Sequence, residues 1–372
     1  MKAVVVITVC VFLAGVTAFA DTIEREFEVS KGGQLDVDLV SGGSIAIHGW
    51  DKEKVEVKLL FKRSDSEDWR IEIEQGRSGV KVYTKAPKWL QETNSSLRVM
   101  VPSEFDLFLK TAGGSVELKG IEGDIRGSTA GGQIDLSDLK GTVDLSTGGG
   151  PVTITDSELD GEVITGGGRV LVENVVGDID ARSGGGEVVY RDVKTPDKHY
   201  PAEMVHIRNA GGGIRVNEAP AGADVQTGGG DIRVRSAGKF VRAHTGGGNI
   251  LLDEVDGWIE ATTGAGDVEV SLIGETESTD HDVEIRTGTG DVIVSLPRDL
   301  SVEVDIQLAH TKGYRGRSRI ISDIDLEEEE SDSWEYGSGS PRKYIRGFAS
   351  INGGRNLIRI RAVNGKVTLK YN

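Results

Sequence analysis

The sequence has 372 residues, of which 52 are glycine, 5% are aromatic and only one is cysteine. With 43 basic and 60 acidic residues it carries a formal charge of −17, which disfavours binding to nucleic acid or anionic lipid unless basic residues gather on one surface. Glycine is about twice its usual ~7% share, but the strict three-residue period of collagen is absent. This composition favours short strands joined by tight turns.

Residues 1–20 are predicted to form a signal peptide. Lys2 is followed by an apolar run, and Ala18-Phe19-Ala20 has the small-x-small pattern read by signal peptidase, so we expect cleavage before Asp21. The alternative is an uncleaved membrane anchor, but the run is short and broken by Gly15. Because Cys10 lies in the leader, the mature chain should contain no thiol, disulfide or Cys-ligated zinc.

No other stretch is long and apolar enough to span a bilayer, and the mature formal charge is about −18.

Residues 21–105 are predicted to form an N-terminal β cap with irregular coils. Alternating apolar and polar residues mark strands in "EREFEV", "SIAIHGWDKEKVEVKLLF", "WRIEIE" and "SLRVMVP", and charged turns separate them. A cap is needed because the open end of a stack of strands is an unpaired sheet edge.

Residues 106–305 contain a repeated corner of threonine and glycine. Seven of its nine successive spacings equal 18, and the other two are 26 and 24. Within a unit, apolar residues two apart indicate two short strands that each turn one face inward. The corners begin at Thr111, Thr129, Thr147, Thr165, Ser183, Asn209, Thr227, Thr245, Thr263 and Thr287.

This period predicts an all-β fold, a single-chain parallel β-solenoid of 18-residue, two-strand coils. One unit cannot bury its own apolar face, but coils stacked at ~4.8 Å pair every strand, and ten of them would make a rod of roughly 50 Å. Stacked corners leave little room for side chains and often require positive φ, which explains the glycines without a ligand. We therefore expect Gly229→Val to disrupt a corner and to lower stability by ~1 kcal/mol or more if Gly229 adopts positive φ.

The two longer units carry insertions after their first strand. These loops contain His199, Tyr200 and His281, and a constant register would place both on one edge, where repeat proteins often bind partners. No third residue with metal-ligand spacing accompanies the histidines, so we interpret these residues as ordinary loop residues and not as metal ligands. His199 and Tyr200 are nevertheless candidate partner-binding residues because of their place on a loop.

Residues 306–372 are predicted to form a C-terminal β cap with an acidic loop, "SDIDLEEEESDSWEY". The alternation in "GGRNLIRIRAVNGKVTLKYN" and its Asn364-Gly365 turn indicate either a terminal hairpin or a last coil. No linker marks a second independent domain.

The order of several motifs resembles a known family. The leader, "SGGSIAIHGWDKEKVEV", "VPSEFDLFLKTAGGSVEL", the "TGGGDIRV" repeats and "INGGRNLIRIRAVNGKVTLK" are similar to the bacterial putative-adhesin family of β-strand repeat proteins, a domain of unknown function. The resemblance covers most of the mature chain. It implies a parallel β-solenoid outside the cytoplasm with a role in surface attachment or envelope organisation, and it brings no catalytic residue.

Enzyme and cofactor motifs are not found. The glycines are not followed by the third glycine and helix of a dinucleotide site, and Walker A, HExxH and GxSxG are absent. Repeated calcium sites are disfavoured because Pro151 and Arg169 replace the acid that follows the glycines in other units, such as Asp231. A polysaccharide lyase or hydrolase would need paired carboxylates and usually aromatic platforms, and Trp258 is one of very few solvent-facing aromatics. We expect no cofactor, no metal and no enzymatic activity.

Two charged surfaces are candidate partner sites. Asp144, Glu162 and Asp180 occupy one position of successive units and would lie ~5 Å apart, so either solvent screens them or a cation or basic partner binds. The second surface comprises Arg191, Arg215, Arg233 and Arg235. It could receive an anionic glycan, although the favoured alternative is that nearby acids such as Asp231 balance its positive charge.

The sequence thus predicts an exported, non-enzymatic, adhesin-like protein that presents loops and charged rows to an unknown envelope protein or glycan. Its compartment is the periplasm, the outer surface or the extracellular space. A periplasmic or membrane-associated scaffold, structural or acting in envelope stress, is the second hypothesis, and a polysaccharide-active β-helix enzyme is the third.

Overall fold

A computed structural model describes residues 20–62, 69–86, 95–194, 204–274, 280–336 and 339–372. In these residues the chain is all-β, with a large, mostly parallel sheet and a single helical turn, η1 (Lys312–Tyr314). Of the predicted leader only Ala20 is among the described residues, where it begins the first strand. None of the helical structure described is long and apolar enough to cross a membrane.

The chain divides into two compact units, and the first comprises residues 1–168 and 173–179. This division falls inside the segment predicted to be regular. The strands of the first unit are β1 (Ala20–Glu28), β2 (Gly33–Leu39), β3 (Ser44–Trp50), β4 (Lys54–Lys62), β5 (Arg70–Gln75), β6 (Gly79–Lys85), β7 (Ser96–Pro102), β8 (Phe105–Thr111), β9 (Val116–Lys119), β10 (Glu122–Thr129), β11 (Ile134–Ser137), β12 (Lys140–Thr147) and β13 (Val152–Thr165).

Pairing is mixed at the start of the first unit and parallel later. The pairs β1–β4, β4–β7 and β5–β6 are antiparallel, whereas β2 and β3 pair in parallel with β8 and β9. From β8 to β13, the strands of the first unit pair in parallel with their counterparts in the next repeat, as in β10–β12 and β11–β13. The irregular alternation of residues 21–105 and the regular repeat that follows therefore correspond to different pairing patterns.

The second unit comprises residues 169–172 and 180–372, and two strands, β14 (Val170–Val176) and β15 (Ile179–Ser183), are divided between the units. The other strands of the second unit are β16 (Val188–Lys194), β17 (Val205–Asn209), β18 (Ile214–Ala219), β19 (Ala223–Thr227), β20 (Ile232–Thr245), β21 (Ile250–Thr263), β22 (Val268–Leu272), β23 (Val283–Thr287), β24 (Val292–Leu296), β25 (Val302–Thr311), β26 (Arg319–Ser322), β27 (Glu327–Glu330), β28 (Arg342–Ile351), β29 (Asn356–Val363) and β30 (Lys366–Tyr371).

The spacing of the sequence repeat sets the register of strand pairing. Ile214 pairs with Ile232, and Ile232 pairs with Ile250, so each partner lies one repeat further along the chain. Where the spacing lengthens to 24, the register follows it, because Ile259 pairs with Val283. Residues at one position of successive repeats therefore lie side by side on neighbouring strands.

The apolar positions of each repeat form the core. Near each end of β20, buried and outward residues alternate, and Ile232, Val234 and Val241 are fully enclosed. Burial of a Val or Ile side chain contributes ~1.5–3 kcal/mol relative to exposure. The prediction that each repeat turns one apolar face inward is therefore confirmed.

The C-terminal residues continue the parallel pairing. β29 pairs in parallel with β23 and β25, and β30 pairs in parallel with β24 and β26, so the Asn364-Gly365 turn joins two strands that do not form a hairpin with each other. The sequence left a terminal hairpin or a last coil as alternatives, and neither is observed as stated, because β29 lies between β23 and β25 and β30 lies between β24 and β26. The acidic strand β27 is fully exposed and pairs antiparallel with β28, which also pairs with β25.

The last glycine of the Thr227 corner, Gly230, is required by close packing. A methyl group at Gly230 would lie 2.5 Å from the backbone nitrogen of Gly213 and closer still to the carbonyl of Gly212. A methyl group at Gly229, in contrast, would have no atom within 4 Å, and the backbone there does not adopt positive φ. The condition for Gly229→Val to disrupt the corner is therefore not met, because Gly229 does not adopt positive φ and faces open space.

Candidate binding surface

The polar groups of the threonine-glycine corners bind one another. Thr245 Oγ1 donates a hydrogen bond to the Gly230 carbonyl of the preceding corner at 2.8 Å and accepts one from the Gly248 N–H of its own corner at 3.2 Å. The same donation to the preceding corner recurs from Thr129, Thr147, Thr165, Thr227, Thr263 and Thr287. These threonines are buried, so the hydroxyl groups of the corners are used in hydrogen bonds within the fold.

The three residues of the predicted acidic row are divided between the two compact units. Asp144 and Glu162 are register neighbours on β12 and β13. Asp180 belongs to the second unit, where Arg182 Nη2 donates to its carboxylate at 2.5 Å. Two acids of this row, Asp144 and Glu162, are therefore adjacent within the first unit.

In the second unit the same position alternates in charge. Asp224, Arg242 and Glu260 are successive register neighbours, and Arg242 lies 3.0 Å from Glu260 and 3.7 Å from Asp224. Glu284 follows Glu260 in register and Arg359 follows Glu284. Opposite charges on adjacent strands stabilise such a row by roughly 0.2–1 kcal/mol per pair, so most of this surface is internally balanced.

The predicted arginine surface is balanced as well. Arg215 and Arg233 are register neighbours, and their guanidinium groups pair with Glu187 at 3.1 Å and Asp253 at 3.0 Å. Arg235 binds Glu218 at 2.8 Å and the Asn217 side chain at 2.7 Å. Arg191 lies on β16. Asp231, which the sequence suggested as a partner of these arginines, accepts a hydrogen bond from the Asn249 N–H at 2.7 Å.

Of the three residues noted on the inserted loops, the structure describes one. His199 and Tyr200 lie outside the described residues. His281 is buried at 1% exposure, with Nε2 3.1 Å from Asp256 Oδ1 and its backbone N–H donating to Asn356 at 3.1 Å. It is therefore part of the packed structure and not an ordinary loop residue, and the described residues contain no group of three potential metal ligands.

A stack of aromatic rings on the outward face was not predicted. Phe240 and Trp258 are register neighbours whose ring centroids are 4.9 Å apart with an interplanar angle of 13°. Phe240 lies against Gly222 on its other side, where any side chain would overlap the ring. Arg242 covers part of Trp258, with its guanidinium carbon 5.5 Å from the ring centroid.

Beyond Trp258, the column of rings is interrupted by a groove. Pairing of Ile259 with Val283 and of Val283 with Ile358 makes Asp282 the next residue in the column and Leu357 the one after it. The short Asp282 side chain leaves a hollow of about 360 Å³ between the two larger residues. We call this hollow, lined by Trp258, Glu260, Asp280, Asp282, Glu284, Leu357 and Arg359, the Trp258 groove.

Hydrogen bonds hold the floor of the Trp258 groove in place. Asp282 Oδ1 accepts the Leu357 N–H at 2.6 Å, and Asp280 Oδ1 accepts the Asp282 N–H at 3.1 Å. Each carboxylate has about four acceptor positions, so one backbone bond leaves capacity for a ligand. The floor is therefore rigid and rich in acceptors.

A second hollow, of about 670 Å³, adjoins the Trp258 groove and shares Leu357 and Arg359 with it. We call it the Phe348 hollow, because its apolar surface includes Phe348, which is 38% exposed. Its lining also includes Asp305, to which Arg361 Nη2 donates at 2.6 Å. This hydrogen bond holds the pKa of the Asp305 carboxyl below its usual range, against the opposing effect of partial burial.

Comparison with known proteins gives distant structural likenesses. No family model and no curated protein matches the sequence. A putative adhesin of Parabacteroides merdae matches at a TM-score of 0.34 with 8% identity, covering 74% of this chain and 96% of its own. A putative cell adhesion protein of Clostridium sporogenes gives 0.17 with 9% identity, over 95% and 100% of the two chains. A putative lipid binding protein of Parabacteroides distasonis gives 0.32 with 11% identity, over 74% and 97%. TM-scores this low carry no argument about function.

Proposed function

We propose that the protein is an exported, non-enzymatic parallel β-solenoid of the adhesin-like class, which binds a partner of the cell envelope through its outward side-chain columns. The order of sequence motifs and the leader support the class and the export. The 18-residue register of parallel pairs within each unit supports the solenoid. The partner is an envelope protein or a glycan, and the site of action is the periplasm, the outer surface or the extracellular space.

One observation carries the binding role. The Trp258 groove sets an aromatic face beside carboxylates and a guanidinium group on the solvent side of the strands, away from the apolar core. Binding sites typically combine apolar surface with a few fixed polar groups in this way. The threonine-glycine corners, in contrast, use their polar groups to bind one another.

The proposal is tested on cells that produce the full chain. We expect the isolated protein to begin at Asp21, to fractionate outside the cytoplasm, and to bind envelope material when the purified mature chain is added back. Protease added to intact cells distinguishes an exposed adhesin, which is cleaved, from a periplasmic scaffold, which is spared.

Three results would count against it. A cytoplasmic protein with an intact leader refutes export. A mature chain that does not bind envelope material refutes the binding role. Turnover of an envelope polysaccharide by the purified chain would instead support an enzyme.

A further inference from the structure

We propose that the Trp258 groove and the adjoining Phe348 hollow bind consecutive rings of a neutral oligosaccharide. This inference rests on the proposed binding function and specifies its site and its class of ligand. It follows from the dimensions of the interrupted aromatic column, the chemistry of its rim, its charge and its continuation into a second hollow.

The groove has the width of one stacked ring. Neighbouring strands are ~4.8 Å apart, so the columns through Trp258 and Leu357 stand roughly 9–10 Å from each other with only Asp282 between them. Phe240 and Trp258 already stack at 4.9 Å, which is the strand spacing. A flat ring above Asp282 would continue this stack at the same interval and contact Leu357 on its other face.

The rim suits a ring that carries hydroxyl groups. Asp280, Asp282 and Glu284 offer acceptors, and the Arg359 guanidinium offers donors. A pyranose ring has apolar C–H faces for Trp258 and Leu357 and hydroxyls around its edge that both donate and accept. A purely aromatic ring would leave these carboxylates desolvated without donors, which is costly.

The charge of the groove selects a neutral ligand. Its lining contains four carboxylates, Glu260, Asp280, Asp282 and Glu284, and one guanidinium. Arg242 and Arg286 pair with Glu260 and Glu284, and the negative charge that remains on Asp280 and Asp282 disfavours uronic or sulfated sugars. A cationic ligand is disfavoured for a different reason. Arg242 already lies over Trp258, and Arg359 lines the other side of the groove.

The Phe348 hollow extends the site to more than one ring. It shares Leu357 and Arg359 with the Trp258 groove and presents a second exposed aromatic face. Glu303, Asp305 and Arg355 supply it with polar groups of both signs. Two adjoining hollows, each with an aromatic face and a polar rim, fit successive units of one chain better than they fit a single small molecule.

The test titrates the mature protein with malto-, cello- and manno-oligosaccharides of increasing length, followed by calorimetry and tryptophan fluorescence. We expect at least one neutral series to bind, with affinity rising as a second ring is added. Trp258→Ala should weaken binding by about tenfold or more. Asp282→Phe should abolish it, because the new ring occupies the place of the ligand and continues the stack.

Matched controls separate binding from folding. Asp267 also accepts a backbone N–H from the next strand, at 2.7 Å, but lies outside the groove, so Asp267→Phe should bind normally. Unfolding curves of all variants identify any that fail to fold. If Asp282→Phe is not folded, Trp258→Ala with Trp50→Ala as its control decides the question.

The outcomes distinguish this inference from the proposed function. Binding of envelope material that is unchanged in Trp258→Ala and Asp282→Phe overturns the site and leaves the proposed function standing. Preference for heparin, for polylysine or for a peptide over every neutral oligosaccharide overturns the ligand class. Absence of any envelope binding refutes the proposed function itself.

Discussion

Substitution of alanine at Gly230 and at Gly229 separates two adjacent glycines of one corner. At Gly230 the methyl group would lie 2.5 Å from the Gly213 nitrogen, and backbone cannot rotate away as a side chain can. Such overpacking costs ~1–3 kcal/mol. Opening the corner also weakens the hydrogen bond from Thr227 Oγ1 to the Gly212 carbonyl, 2.7 Å long, which contributes ~0.5–1.5 kcal/mol. Gly230→Ala should therefore lower stability by about 2–4 kcal/mol.

Gly229→Ala is the matched control. Its methyl group meets no atom within 4 Å and its backbone is not left-handed. The substitution should be neutral, or stabilising by ~0.4–1 kcal/mol because it restricts the unfolded chain. Natural units support this tolerance, since Ala265 and Thr289 occupy the same position.

The assay is amide hydrogen exchange resolved around Thr227 and Thr245, because it reports local opening without requiring that the whole chain unfold in one step. Gly230→Ala should accelerate exchange at both corners, whereas Gly229→Ala should leave it unchanged or slower. Equal effects of the two substitutions, or a larger effect at Gly229, would refute the packing argument.

Three further predictions concern other contacts. Thr245→Val leaves the Gly230 carbonyl and the buried Gly248 N–H without their side-chain partner and should cost about 2 kcal/mol in urea unfolding. Thr262→Val on the outward face should be neutral, and equal losses for the two variants would contradict the role of the Thr245 hydroxyl. Because the folded-state pKa of Asp305 is lowered, its pairing should stabilise the protein above the unfolded pKa of ~3.9 and be lost as pH falls through the lower folded value. The unfolding midpoints of the wild type and Asp305→Asn should accordingly differ at neutral pH and converge in acid. A difference that stays constant with pH would contradict the stabilising role of the ionised Asp305 carboxylate. Arg215→Ser/Arg233→Ser should elute from heparin resin with the wild type, since both arginines are paired, and earlier elution would show that the patch binds polyanions.

The sequence predicts the pairing register because each strand pairs with the same position of the next repeat. Apolar residues two apart and corners 18 apart are local signals, and parallel pairing converts them directly into neighbours such as Ile232 and Ile250. Which glycine matters was not predictable by the same means. Gly229 and Gly230 differ only in whether the neighbouring corner passes within contact distance, and that distance appears only in the folded corner.

The Trp258 groove was only partly visible in the sequence. Trp258 stood out as a rare outward aromatic, and Phe240, one repeat earlier, could have been found by comparing the same position in successive units. Asp282 lies within the lengthened unit, where the spacing changes to 24. Leu357 comes from a strand 75 residues beyond Asp282, and no periodic pattern in the sequence links the two.

The threonine-glycine corners have a consequence for how such a chain changes over time. Each corner bonds to the corresponding corner of the preceding repeat, so gain or loss of one whole unit leaves every remaining donor facing an acceptor. Recombination between units would then alter length while conserving foldability, whereas insertion of a few residues inside a corner would not. Outward residues such as Trp258 are bound by no such constraint, and new binding specificities can arise there by single substitutions on an unchanged scaffold.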